Sequence, residues 1–404
     1  MNNNIWEFEL MVGSPVHIGS DKKYTKLDYV FDPQSQVVGL LNESAWLQWL
    51  IKYNLMDTYI DAIQSASSKS KNFNNFDWLQ SINIKRPLQD YDHLFSAKFH
   101  IDHDAQRTLN DILSHIKTVD QRPYIPGSSL KGAFRSAILA YLIIKNRDNT
   151  DLNNIWSDFK RELKQSQSIR SRNLRFYTEN IESLLIYGKE YQEKKKERID
   201  PFHGISISDS LPFKKEDVIL CKKHDIVFSS SGNPVPREIP VWRECVRPNA
   251  SSSFTVKLDG RCFQGTNLQF ITGPEVLLEC IKMQQSRILS FHESKLSDQL
   301  KRSTNHSEIQ YQSIRPPTGY TAIKLGSNTG FQVKSLVFAL AKDEKEARDV
   351  TELILQKSFS QRRKTEDSIA EPRTLKTTFL TKAAGVKNSG RYKMGICFIH
   401  LKDR

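Results

Sequence analysis

Lys131 and Arg135 stand four residues apart, directly after Pro126-Gly127-Ser128-Ser129, and that spacing suits one chemistry above others, the holding of phosphate. Pro126-Gly127 ends any preceding strand, and Ser128 or Ser129 can cap a helix by accepting a hydrogen bond from an orphan amide. A helix start offers free N–H groups and about half a positive charge. Gly127 lets an anion approach that backbone while the two cations neutralise it. Leu130, Phe134, Ala137, Ile138, Tyr141 and Leu142 recur at helical spacing, so the helix packs one face on a core and carries Lys131 and Arg135 on another. A capped core helix with solvated cations accounts for the same residues, and the stretch alone leaves both readings open.

Three further groups invite the same chemistry. In Lys324–Ser335, Gly326 and Gly330 permit a tight turn and Lys334 falls near the start of the next helix. This is not a P-loop, which needs G-x-x-x-x-G-K-[ST]. Arg243 and Arg247 lie in the alternating stretch Val241–Pro248 and are expected to project from one strand face, either toward a ligand or as paired surface charges. Arg391 closes the basic glycine loop Gly385–Arg391, ahead of a final strand Tyr392 to Leu401.

His17, in the loop Val16–Ser20, is open to three roles: RNA contact, general base, or a structural place beside a turn. Asp21 and Asp28 are the other acid–base candidates nearby, and no pair stands at an informative spacing, so no catalytic residue is assigned. His100 and His103 have no cysteine or further histidine at a zinc spacing; neither metal nor cofactor is assigned.

Positioning these residues falls to a recognisable set of elements. Trp6, Phe8, Leu10 and Val12 alternate with Glu7, Glu9 and Met11 as a half-buried strand ending at Gly13-Ser14-Pro15. Tyr29–Phe31 and Val37-Val38 flank Asp32-Pro33-Gln34-Ser35 as a hairpin. Asn42 caps a helix along which Trp46, Trp49, Tyr53, Met56 and Ile60 form an apolar stripe. Residues 146–199 are charge-dense and helix-compatible, with Arg170, Arg172, Arg175 and Lys194-Lys195-Lys196, and form a helical insertion. From residue 200 short strands return, at Gly204–Ser210, Val218–Cys221, Ile239–Val246 and Phe254–Leu258, and Thr272-Gly273-Pro274-Glu275 has capping-box spacing. The fold class is α+β, with units at 1–145 and 200–404 on either side of the insertion.

The chain has 404 residues, enough for two cores, and a net charge of +13. With a sequence pI of 9.3, the expected partner is a polyanion. Five widely spaced cysteines with no C-x-x-C pair indicate reduced thiols. The opening residues lack a basic and an apolar signal region, no apolar run is long enough to span a bilayer, and no basic amphipathic anchor stands out. The expectation is a cytoplasmic protein with no membrane partner.

Together these landmarks resemble the RAMP superfamily of CRISPR proteins, and within it the family of fifth Csm subunits of type III-A effector complexes. Tyr124–Arg135 is similar to the family's I-P-G-S-S-L-K-G-x-x-R signature, and Ser14–Ser20 to its opening strand and loop. Ser206–Ser210, Trp242–Cys245, the Gly326 to Lys334 loop and Met394-Gly395 stand in the family's order. The Gly326 loop departs from it in lacking an aromatic and an extra glycine, and Ile396 stands where Trp is frequent. The resemblance implies tandem ferredoxin-like domains related to RNA-recognition modules. It implies a non-catalytic subunit that caps the filament at the crRNA 3′ end and contributes to crRNA maturation in antiviral defence. Its implied partners are crRNA, the other Csm-complex RAMP backbone subunits and a recruited host nuclease. RNA contact is then expected at Gly127, Ser128, Ser129, Lys131, Arg135, His17, Arg243, Arg247, Lys334 and Arg391. Some RAMP relatives are endoribonucleases acting on crRNA precursor or target RNA, which is the alternative function.

Overall fold

A computed structural model describes residues 4–68, 73–101, 109–166, 169–188, 200–228, 234–302, 314–327, 329–358, 375–384 and 386–403. The strands are β1 (Ile5–Val12), β2 (Gly19–Tyr24), β3 (Tyr29–Asp32), β4 (Val37–Leu41), β5 (Phe95–His100), β6 (Ile112–His115), β7 (Ile205–Ile207), β8 (Val218–Phe228), β9 (Pro234–Val246), β10 (Ser251–Leu258), β11 (Thr321–Lys324), β12 (Leu375–Leu380), β13 (Gly390–Lys393) and β14 (Ile396–Leu401). They form three sheets, ordered β11-β14-β1-β10-β7, β13-β12-β8-β9-β6-β2 and β3-β4-β5. The chain is thus a mixed α+β protein, as its patterning indicates.

The first sheet follows from the alternation in β1. Phe8, Leu10 and Val12 are fully buried and point to one face, where the helices Gly127–Lys145 and Pro274–Arg302 pack. Phe8 pairs across the strands with Phe254, their rings stacked at 5.3 Å, and Phe134 of the first helix meets Phe8 edge-on at 6.4 Å. Leu130, Phe134, Ala137 and Ile138 are all buried in this core, so the apolar stripe read from the sequence is the packed face. In chain order, β1, the first helix, β7, β10, the second helix and β14 make a β-α-β-β-α-β unit with sheet order β14-β1-β10-β7, the ferredoxin-like arrangement.

That unit is built from both sides of residue 200, with β1 between β10 and β14. The second sheet also draws on both sides, β6 lying parallel to β9. The family resemblance implies two successive ferredoxin-like units. Alternation shows that a segment is a strand but not which distant strand it joins, and the pairing here reaches across the whole chain.

Two local expectations change. The Trp46–Ile60 stripe is divided: the helix Glu43–Lys52 ends, Asn54 adopts a left-handed φ of 54°, and a second helix runs Met56–Ser68. Asn42 does cap the first helix, accepting from Ala45 N at 3.2 Å. Trp46, Trp49, Tyr59 and Trp78 form a buried aromatic cluster beside β3 and β4, while Tyr53 and Ile60 point outward. The expected last strand is two, because Gly395 turns at φ +87° and sends β13 and β14 into different sheets. The insertion is helical at Thr150–Gln165 and Ser171–Tyr187, with Arg175 ion-paired to Glu179 at 2.7 Å. Lys194-Lys195-Lys196 and His103 lie outside the described residues.

Candidate nucleic-acid interface

The helix that opens at Gly127 already holds an anion of the chain's own. Pro126 occupies the N-cap position and neither serine caps the helix, contrary to the sequence expectation. Instead Gly127 N donates to Asp209 Oδ1 at 2.7 Å, a carboxylate placed where the helix dipole favours one. Gly127 is buried, and a Cβ there would lie 2.3 Å from the Ile207 carbonyl oxygen. The glycine is therefore required by the close passage of β7. Arg135 is equally committed: it binds Glu182 Oε2 at 2.8 Å and Asp200 Oδ2 at 3.0 Å, and lies 4.2 Å from the Phe202 ring centroid. It joins the insertion to the turn before β7. What remains at the surface is exposed Ser128, with half-buried Ser129 and Lys131. Lys131 forms no ion pair among the described residues.

The loop after β1 is the junction of the molecule. Gly395 N donates to Pro15 O at 2.9 Å, Ser327 N to His17 O at 2.9 Å, and Ile396 N to Ser14 Oγ at 2.8 Å. Val16 and Val246 exchange backbone bonds at 3.1 and 2.8 Å. Gly326, at φ +83°, passes so close that a Cβ would stand 2.3 Å from His17 O. Segments more than three hundred residues apart in the sequence thus meet within one loop.

His17 is only 2% exposed. Its Nδ1 lies 2.7 Å from the Glu244 carbonyl oxygen, which can only accept, so Nδ1 carries the proton. Burial pushes its pKa down to about 4, leaving the ring neutral. His115 stands perpendicular to it at 6.1 Å, with burial pushing its pKa down to about 3. The Glu244 carboxylate is wholly buried; it accepts from Lys117 Nζ at 2.7 Å, Ser114 Oγ at 2.9 Å and His115 N at 3.0 Å. His17 is therefore structural, the third of the roles its sequence left open. Lys117 and Glu244 were not singled out by the sequence. Glu244 shares strand parity with Trp242 and Val246, both apolar, and that inward parity was the available signal.

The remaining candidates are dispersed. Arg243 is half-buried near Cys221, Cys245 and Asp225, and burial lowers its pKa. Arg247 lies beyond the end of β9 and binds Asp217 Oδ1 at 2.9 Å, so the two arginines do not act as a pair. Lys334 is exposed; it ends the five-residue helix Gly330–Lys334 and stands three residues before the short helix Val337–Leu340. Arg391 is 9% exposed and donates to Thr377 Oγ1 at 3.3 Å. Of the acid–base candidates, Asp28 is spent on Thr25, accepting from its N at 2.6 Å and its Oγ1 at 2.7 Å, and Asp21 is exposed. All five cysteines are free. No helix among the described residues is long and apolar enough to cross a membrane.

The chain, with its ferredoxin-like unit and the I-P-G-S-S-L-K-G turn at the first helix of that unit, belongs to the RAMP superfamily, whose model matches residues 9–357. Among individual proteins it is similar to the CRISPR system Cms protein Csm5 of Streptococcus thermophilus, 23% identical over 254 residues, or 62% of this chain and 63% of that one. It is likewise similar to the Enterococcus italicus protein of the same name, 21% identical over 274 residues, 64% of this chain and 61% of that one. The alignments thus span less than two thirds of either relative's length. The Mycobacterium tuberculosis protein of that name is 30% identical over 159 residues, 38% of this chain and 36% of its own. The fold matches a chain in the cryo-EM structure of a Csm-crRNA-target RNA ternary complex of a type III-A CRISPR-Cas system, with TM-score 0.59, 18% identity, and 98% and 100% of the two chains covered. The crystal structure of T. onnurineus Csm5 matches with TM-score 0.58 and 18% identity, covering 96% and 99%.

Proposed function

We propose that this chain is a non-catalytic crRNA-binding subunit of a type III-A CRISPR (Csm) interference complex, capping its filament at the crRNA 3′ end and contributing to crRNA maturation. The observation that carries the reading is likeness along almost the whole chain, 98% of it, to a chain whose structure was solved with crRNA and target RNA. The net charge of +13 supports a polyanion as partner. Lys131, with Ser128 and Ser129 beside it, keeps a surface position from which to meet a backbone phosphate. The other RAMP subunits of the complex are its protein partners, and the cytoplasm its compartment. A nuclease recruited to the complex would trim the crRNA.

The non-catalytic reading is supported at two of the three acid–base candidates, His17 and Asp28; the third, Asp21, is exposed and is tested by substitution. A general base must reach the 2′-hydroxyl it deprotonates; His17 is 2% exposed and bonded to Glu244, and Asp28 is bonded within its own turn. The test is a strain lacking this protein. Its crRNA should be longer or ragged at the 3′ end and its complex lighter than normal. Normal crRNA length and complex mass would reject the reading.

A further inference from the structure

One face of the second sheet carries an alternating row of cations and aromatic rings. Arg391 on β13 is the cross-strand partner of Phe379 on β12, so both side chains leave the same face. The β12–β8 register sets Thr377 against His224, and Phe379 and Lys222, two residues on along each strand, both line one cavity. Lys222 is in turn paired with Trp242 on β9. The row therefore reads Arg391, Phe379, Lys222, Trp242 across four adjacent strands. A cavity of about 190 Å³ here is lined by Phe379, Lys222 and Trp242 of the second sheet, by Lys98 and His100 of β5, and by the acidic Glu216. Trp242 is 4% exposed and closes the floor, whereas Phe379 is 42% exposed although its chain neighbours Thr378 and Leu380 are buried.

An aromatic ring held open to solvent on a strand, with the partly exposed Lys222 on the same face, can stack an unpaired base while the ammonium neutralises a neighbouring phosphate. The corresponding helix-free face of the first sheet cannot do this, since β1 presents Glu7 and Glu9 there, opposite in parity to buried Phe8 and Leu10. We infer that Phe379, with Lys222 on the same face, is a base-stacking subsite for single-stranded RNA. The inference rests on the RNA-binding function proposed above and assigns it a place on the second sheet.

Stacking and ion pairing separate by salt. Affinity of the full chain for a single-stranded RNA is to be measured across a salt series for wild type, Phe379→Ala, Phe379→Trp and Lys222→Ala, with crosslinking of 4-thiouridine-labelled RNA to locate the contact. Phe379→Ala should weaken binding about five-fold or more at every salt concentration, leaving the slope unchanged. Phe379→Trp should restore it. Lys222→Ala should instead shrink the slope by about 0.7, and the labelled RNA should crosslink to the peptide carrying Phe379. RNA binding that Phe379→Ala leaves intact, with crosslinks elsewhere, overturns this subsite and leaves the proposed function standing. So does loss of a protein subunit, rather than of RNA, when the same variant is assembled into the complex. A wild-type chain that binds no RNA, alone or assembled, contradicts the function itself.

Discussion

Lys117 holds its ammonium 2.7 Å from the carboxylate of Glu244, a group with no solvent exposure at all. The pair joins the chain just after β6 to β9, and Ser114 and His115 complete the carboxylate's hydrogen bonds. Breaking a buried pair from one side leaves a charge with no compensation. Lys117→Met should therefore cost about 3–5 kcal/mol, and Glu244→Gln in the same chain should recover part of it. Denaturant midpoints of the two single variants and the double variant measure the coupling. Additive effects would show that the pair contributes nothing beyond its separate side chains.

His17 and His115 make the same junction sensitive to acid. Both have native pKa values pushed below the ordinary 6.5 by burial, to about 4 and about 3. Between those values and 6.5 the unfolded chain binds protons that the folded chain refuses. Their stabilising effect is thus complete above 6.5 and is lost as pH falls toward 4. Melting temperature should decline through this window. His17→Asn, whose side-chain amide can donate to the Glu244 carbonyl from the Nδ1 position and cannot take up charge, should flatten the decline; an unaltered slope would place the acid sensitivity elsewhere.

Gly326 and Gly132 should respond oppositely to alanine. At Gly326 the φ of +83° and a Cβ 2.3 Å from His17 O both oppose a side chain, and Gly326→Ala should cost more than about 2 kcal/mol. Gly132 lies inside the helix Gly127–Lys145 with nothing within 4 Å of its Cβ position, so Gly132→Ala should stabilise by about 0.5–1 kcal/mol. Thermal unfolding of the two variants decides the matter.

Lys131 and Arg135 should also part company. Lys131→Ala should leave melting unchanged and reduce the salt slope of RNA binding by about 0.7. Arg135→Ala removes contacts to Glu182, Asp200 and Phe202 and should lower the melting temperature. Equal effects of the two on RNA slope and on stability would contradict this division.

The sequence made the local elements legible because they rest on nearest-neighbour spacing. The stripe from Leu130 to Leu142, the Asn42 cap and the alternation of β1 all describe what lies within a few residues. It did not reveal that Asp209 would cap the helix at Gly127, or that Glu182 and Asp200 would claim Arg135, because those partners come from 47 to 82 residues away. The Gly326 loop likewise reads as a phosphate turn in isolation, whereas its glycine answers to His17 across the fold. The Phe379 face was invisible for the same reason, being assembled from four strands whose pairing the sequence does not show.

On the function proposed above, this chain is built into a crRNA-bearing Csm complex without cutting RNA. Affinity purification of the tagged chain from cells expressing the whole locus, followed by mass measurement of the assembly and sequencing of its RNA, tests it most directly. The account predicts other RAMP subunits and small crRNA in the eluate, with that RNA and added target left uncut by the chain purified alone. A chain recovered without RNA, or one that cleaves RNA by itself and loses the activity on His17→Ala or Asp21→Ala, would contradict it.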